Sequence, residues 1–204
     1  MHSLPRRTFL RALPFLLCIK SAFTGESDPA VARIRAFCDV LLETMKQATA
    51  LGVKGRYKRL EPAVRTTYDL PAMTRIAVGP PWKTFTPDQQ AALTEQFSRM
   101  SIATYASRFD GYDGERFEVE PQAEARNANR IVRSRIVLKQ GDPVALNYLC
   151  HETPDGWKVI DVYLSGTVSE LATRRAEFAS VLKSGGPQGL IDMLRSRADK
   201  MIAG

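Results

Sequence analysis

The chain has 204 residues, 44% hydrophobic and 25% charged, ordinary values for a globular protein with a real core. The formal charge of +7 suggests nucleic acid, but Arg6, Arg7, Arg11 and Lys20 lie in the first 25 residues, where there is no acid. Without that segment 25 basic residues face 22 acidic ones, a net +3 with no aromatic interleaving, so nucleic-acid binding is not supported.

The first 25 residues read as a cleaved export signal: a basic start, an apolar run from Ala12 to Ile19, then small and polar residues. Cleavage is expected between Ala22 and Ser27. Lys20 leaves the apolar run too short for a stable membrane span. Arg6-Arg7-Thr8-Phe9-Leu10-Arg11 resembles a twin-arginine signal, and any basic start would also serve the general route, so both stay open. Residues 28–204 are read as a single domain. Cys38 and Cys150 remain in it, and two buried free thiols are preferred to a bridge. His151 is then the one histidine left, so histidine catalysis and zinc binding have little support, and no cofactor is expected.

Asp28-Pro29 caps a first helix from Ala30 to about Ala50, with Ile34, Phe37, Cys38, Leu41, Leu42 and Met45 as its apolar stripe. Gly52 and Gly55 break it, and a basic helix follows from Arg56 to Thr67. Its cations read first as a solvated face, second as a surface for anionic headgroups or an acidic partner. Tyr68-Asp69 opens a third helix carrying Leu70, Met73 and Ile76, which Gly79-Pro80-Pro81 stops, since the two prolines remove two donors and fix φ. Thr86 caps a long helix with Pro87 at its first position and Gln89 completing a capping box. Leu93, Phe97, Met100, Tyr105 and Phe109 form its stripe, and Asp110-Gly111 ends it. The elbow between these helices holds no nucleophile, metal cluster or phosphate loop, and reads as the wall of an apolar compartment.

Strands are expected at Phe117–Val119, Asn129–Lys139, Val144–Glu152 and Trp157–Leu164, with turns at Gln140–Pro143 and Pro154–Gly156. Plain hairpins put Val132, Ser134, Ile136 and Leu138 on one face with Val144, Leu146, Tyr148 and Cys150. The last strand is apolar on both faces, Val159 and Tyr163 on one, Ile160, Val162 and Leu164 on the other. Asp161 on that strand needs a partner, and a regular hairpin offers Tyr148. Thr167 to Glu170 reads as a capping box for a helix to about Lys183; Gly185-Gly186 ends it and Pro187 starts the last helix. The fold class is α+β: N-terminal helices, a curved four-stranded antiparallel sheet, then C-terminal helices.

The run YDLPAMTRIAVGPPWKTFTPDQQ from Tyr68, followed by Phe97 and Tyr105, resembles the MlaC or toluene-tolerance family of periplasmic lipid carriers. GWKVIDVYLSGTVSELATRRAEF, Gly156 to Phe178, is similar to that family's C-terminal strand, turn and helix. The ordered matches span roughly Ala30 to Arg197. The hopanoid-associated HpnM branch is a close alternative within the family. The resemblance implies a deep apolar pocket between sheet and helices, holding a phospholipid or hopanoid. It also implies an inner-membrane ABC transporter with an MCE-domain ring as one partner, and an outer-membrane lipid complex as the other.

The residues chosen for the pocket are Leu70, Met73, Ile76, Phe97 and Tyr105 from the helices, with Ile136, Leu146, Tyr148 and Val159 from the sheet. Each taken alone is more often core, and the expectation concerns the set. Trp82 and Trp157 read as structural packing at turns. Two other functions stay open. A small α+β enzyme could use Asp161 as a buried acid or base. A ligand-free periplasmic adaptor could bind protein through the basic helix.

Overall fold

The computed structural model describes residues 28–204; the expected export signal and its cleavage site lie outside the described residues. Helix α1, Pro29–Lys46, starts where the Asp28 carboxylate accepts the Ala30 amide at 2.9 Å. Its stripe of Ala30, Val31, Ile34, Phe37, Cys38 and Leu41 is almost wholly buried. Helix α2, Ala48–Thr67, breaks at Gly52, which has φ of 58° and ψ of 176°, while Gly55 stays helical.

Arg56 departs from the expected solvated face. It is buried, donating from Nε to the Ala106 carbonyl at 2.8 Å and from Nη1 to the Ala48 carbonyl at 2.9 Å. It thereby satisfies a carbonyl in the last turn of the long helix. Arg65 is tied to Glu61 and Glu95, leaving Lys58 and Arg59 as the solvated part of the run.

Helix α3, Leu70–Val78, is capped by Asp69 and stops at Gly79, whose φ of 74° suits glycine. Arg175 closes its far end by donating to the Ile76 carbonyl. The prolines then form a short 3₁₀ turn, Pro80–Thr84. Helix α4, Pro87–Arg108, carries the full capping box between Thr86 and Gln89.

The sheet is antiparallel and curved. Strands β1, Arg116–Val119, and β2, Glu124–Arg126, form one interrupted outer strand. Strands β3, Asn129–Val132, and β4, Ser134–Val137, form the next, broken at Arg133, whose carbonyl accepts the Glu120 amide. Both halves pair with the long β5, Val144–Thr153, in one register that sets Val132 against Tyr148 and Ile136 against Val144. These are the faces expected from the turn at Gly141. Strand β6, Gly156–Leu164, lies on the other edge of β5, and the short β7, Val168–Ser169, pairs with β6.

The β5–β6 hairpin is not regular. A bulge between Leu149 and Cys150 leaves Ile160 unpaired, so Tyr148 faces Val162 and Leu149 faces Asp161. The bulge shifts the pattern by one residue. Val159 therefore shares the core face with Val162 and Leu164 instead of standing opposite them.

Asp161 does not meet Tyr148. It accepts from its neighbour's amide at Val162, from Ser169 Oγ and from the Leu171 amide. It ties β6 to the start of helix α5, Glu170–Ala203. The cap of that helix is Ser169, which accepts the Ala172 amide at 2.9 Å, not Thr167, because Val168 and Ser169 are first drawn into the sheet. Gly186, with φ of 60°, breaks α5 before Pro187. In a straight helix Glu177 and Arg197 would stand about 30 Å apart at 1.5 Å per residue. They form an ion pair, so the second half of α5 folds back beside the first.

Candidate functional site

A cavity of about 440 Å³ lies between the concave sheet face and helices α2, α3, α4 and the start of α5. That volume falls in the range of about 300–1,000 Å³ typical of small-ligand pockets. Sheet and helices supply different walls. From β4, β5 and β6 come Ile136, Val144, Leu146, Val162 and Leu164. From the helical side come Val64, Tyr68, Met73, Tyr105 and Phe109.

The aromatic floor is built as a cluster. Phe37 sets its ring 5.3 Å from both Tyr68 and Tyr105, edge to face, and Phe109 stacks on Tyr105 at 5.7 Å. The hydroxyls of Tyr68 and Tyr105 hydrogen-bond each other. Burial pushes both phenols above their ordinary range, so they stay neutral at physiological pH. The interior therefore offers aliphatic and aromatic surface with no resident charge.

Charge gathers at the rim. Arg108 is the last residue of α4, and Glu170 and Arg174 stand on the first turns of α5. Arg174 is held by Glu170 at 2.8 Å and touches Met100 Sδ at 3.5 Å. Val144, 40% exposed, adds an apolar stretch to the rim. An apolar interior with a charged rim suits an amphiphile with its tail inside and its head at the opening.

Of the nine residues chosen from sequence, Met73, Tyr105, Ile136 and Leu146 line this cavity. The other five are placed elsewhere. Leu70 is buried and borders a separate polar groove beside Arg65 and Asp69. Ile76 sits where α3 meets α5, its carbonyl taken by Arg175. Phe97 packs edge-to-face on Phe178 at 6.3 Å, cementing α4 to α5. Tyr148 is fully buried behind Phe37, 6.5 Å away, and Val159 is fully buried with its carbonyl accepting the Asp69 amide.

Sequence reasoning missed Val162 and Leu164 as a lining pair because the Ile160 bulge is invisible in the pattern. It missed Tyr68 because that residue was assigned to a helix start. Phe109 was legible as the next member of the α4 stripe.

Asp161 is absent from the cavity wall, and its carboxylate is occupied by three donors. His151 pairs with Asp69 at 2.9 Å on the outside of the β5–α3 junction. Cys38 and Cys150 are buried and unbonded, and burial pushes both thiols up to about 12. Among the described residues no cluster of potential ligands could hold a metal ion, and no helix is long and apolar enough to cross a membrane.

Comparison with known proteins fits this geometry. No curated protein matches the chain. The phospholipid-binding protein from Ralstonia solanacearum, solved in complex with a phospholipid, is similar at 30% identity with a TM-score of 0.74. The match covers 85% of this chain and 99% of that one. The family model described as MlaC protein matches residues 35–196, most of the length, and the chain belongs to the MlaC family.

Proposed function

We propose that this protein binds a phospholipid by its acyl chains and carries it between membranes. The observation that carries the reading is the apolar cavity between sheet and helices, in a chain similar along 85% of its length to a protein solved with a phospholipid bound. Each methylene withdrawn from water contributes about 0.8 kcal/mol, so a diacyl lipid would not escape into water on a useful timescale. The bilayer buries the same methylenes. Transfer between bilayer and cavity is therefore nearly balanced, and its direction is set by docking partners. The family points to an MCE-domain ABC transporter at the inner membrane and a lipid complex at the outer one. The signal-like first 25 residues support a periplasmic location for the carrier, between the two membranes.

The experiment is native mass spectrometry of protein purified from cells without added detergent, followed by extraction and identification of what it holds. One phospholipid per chain is the expected result. A hopanoid would change the cargo, and a chain that is empty and takes up no lipid from vesicles would overturn the reading.

A further inference from the structure

Beside the rim of the cavity lies a second cleft, of about 360 Å³, between α4 and the two halves of α5. Its walls carry four cations: Arg108 from the end of α4, Arg174 from the first half of α5, Arg197 and Lys200 from the second. Thr104, Arg108 and Arg174 line both the cleft and the cavity, so the two spaces share a wall.

Two of the four charges are spoken for. Glu170 holds Arg174 and Glu177 holds Arg197. Neighbouring Asp199 is turned to Arg99 at 2.7 Å. Arg108 and Lys200 make no ion pair among the described residues, which leaves the cleft with a net charge of +2. An ordinary solvated face is a charge run along one helix. Here the cations converge from three segments, and the backfolding of α5 at Gly186 is what brings Arg197 and Lys200 to Arg108.

We propose that this cleft is a site for a phosphate ester, and that on the lipid-carrier reading above it receives the headgroup of an anionic phospholipid. Arg108 at the rim of the apolar cavity, with Lys200 in the cleft beside it, matches a molecule whose negative phosphate sits next to its acyl chains. Charge-assisted hydrogen bonds from an arginine and a lysine suit phosphate oxygens. The cations are solvent-facing, so they bias headgroup choice more than they add to total affinity. That bias acts between lipids and is screened by salt.

The test offers the full-length mature protein vesicles of equal parts phosphatidylglycerol and phosphatidylcholine with identical acyl chains. Bound lipid is then quantified by mass spectrometry. The expected result is about fivefold enrichment of phosphatidylglycerol at low salt, the size of effect two half-screened charges give, falling toward one at high salt. The double variant Arg108→Gln/Lys200→Gln should abolish the enrichment. The ratio is read within the lipid that is bound, so a change in total uptake does not enter it. Lys58→Gln/Arg59→Gln removes the same charge from a remote face and should keep the enrichment.

Normal uptake in the vesicle ratio overturns the headgroup site and leaves the carrier reading standing. Loss of enrichment in the Lys58/Arg59 control overturns it too, assigning the bias to overall charge. No uptake of either lipid overturns the carrier reading itself. Saturable binding of inorganic phosphate by the lipid-free protein, abolished in the Arg108/Lys200 variant, with no headgroup bias, would assign the cleft to free phosphate instead.

Discussion

Tyr68, between α2 and α3, and Tyr105, in the last turn of α4, hydrogen-bond hydroxyl to hydroxyl in the wall of the cavity. The bond ties the α2–α3 junction to α4 and leaves neither phenol unpaired. Tyr148, 0% exposed, lies behind the same Phe37 ring, and its hydroxyl makes no well-formed hydrogen bond among the described residues, although Cys38 and Ser134 lie beside it. These two situations should respond oppositely to loss of the hydroxyl. Tyr68→Phe or Tyr105→Phe strands the other oxygen and should cost about 1–3 kcal/mol. The double Phe variant should cost less than the sum of the singles. Tyr148→Phe removes an unsatisfied group and should be neutral or stabilising. Denaturant unfolding of the four variants is the check; a clear loss in Tyr148→Phe would mean a buried partner for that hydroxyl.

Asp161 is expected to matter for stability and not for chemistry. Its carboxylate accepts the Ser169 hydroxyl at 2.6 Å and the Leu171 amide at 3.2 Å, so it fixes where α5 begins. Asp161→Ala leaves buried donors without an acceptor and should destabilise the fold by about 2–3 kcal/mol. Asp161→Asn keeps an acceptor oxygen and should lose less. Equal losses in the two variants would show that the caps do not depend on this oxygen.

What was legible in the sequence divides along the range of the forces involved. Local chemistry wrote itself plainly: Asp28, Asp69, the Thr86–Gln89 box and the breaks at Gly52 and Gly186 all stand where their residue types place them. The Gly141 turn fixed the register of β4 on β5, so Ile136 and Leu146 could be put on one face. The Ile160 bulge has no signature in the alternation, and it moved Asp161 from Tyr148 to the α5 cap. Helical stripes announce burial but not against what. Phe97 and Met73 are equally apolar, yet Phe97 went to Phe178 and Met73 to the cavity. Arg56 was unreadable because its role is a pair of carbonyls distant in the chain or across a kink.

Alkaline pH should unfold this protein through its buried acids. Burial first, and Asp39 beside it second, push Cys38 up to about 12 from 9.0; burial first, then Asp28, do the same for Cys150. Below about pH 9 both thiols are protonated in folded and unfolded chains alike, and their contribution to stability is fully present. Between about 9 and 12 the unfolded chain gives up protons that the folded one keeps, so stability falls as pH rises. Tyr68, Tyr105 and Tyr148 add in the same direction at higher pH. Denaturation midpoints taken along an alkaline series should decline, and less steeply in Cys38→Ala/Cys150→Ala. Native thiols should also resist alkylation at neutral pH, since the thiolate is the reactive form. Rapid labelling of the folded protein would contradict the burial of both.

Leu146 offers the sharpest separation of cavity from core. It is 8% exposed, stands on β5 opposite Leu164, and lines the cavity with Met73 and Tyr105 on the facing wall. Leu93 is fully buried in the same core cluster but does not border the cavity. Enlarging a side chain in filled space forces neighbours off their rotamers and costs typically about 1–3 kcal/mol. Leu93→Trp should show that loss. Leu146→Trp instead extends into the space of about 440 Å³ that the bound acyl chain would use. The lipid-free protein should therefore unfold near the wild-type midpoint, while the lipid recovered per mole of protein falls. Thermal unfolding of delipidated protein and quantitative lipid extraction are read together. A strongly destabilised lipid-free Leu146→Trp that still carries normal lipid would mean that the cargo lies elsewhere and that this wall is ordinary core.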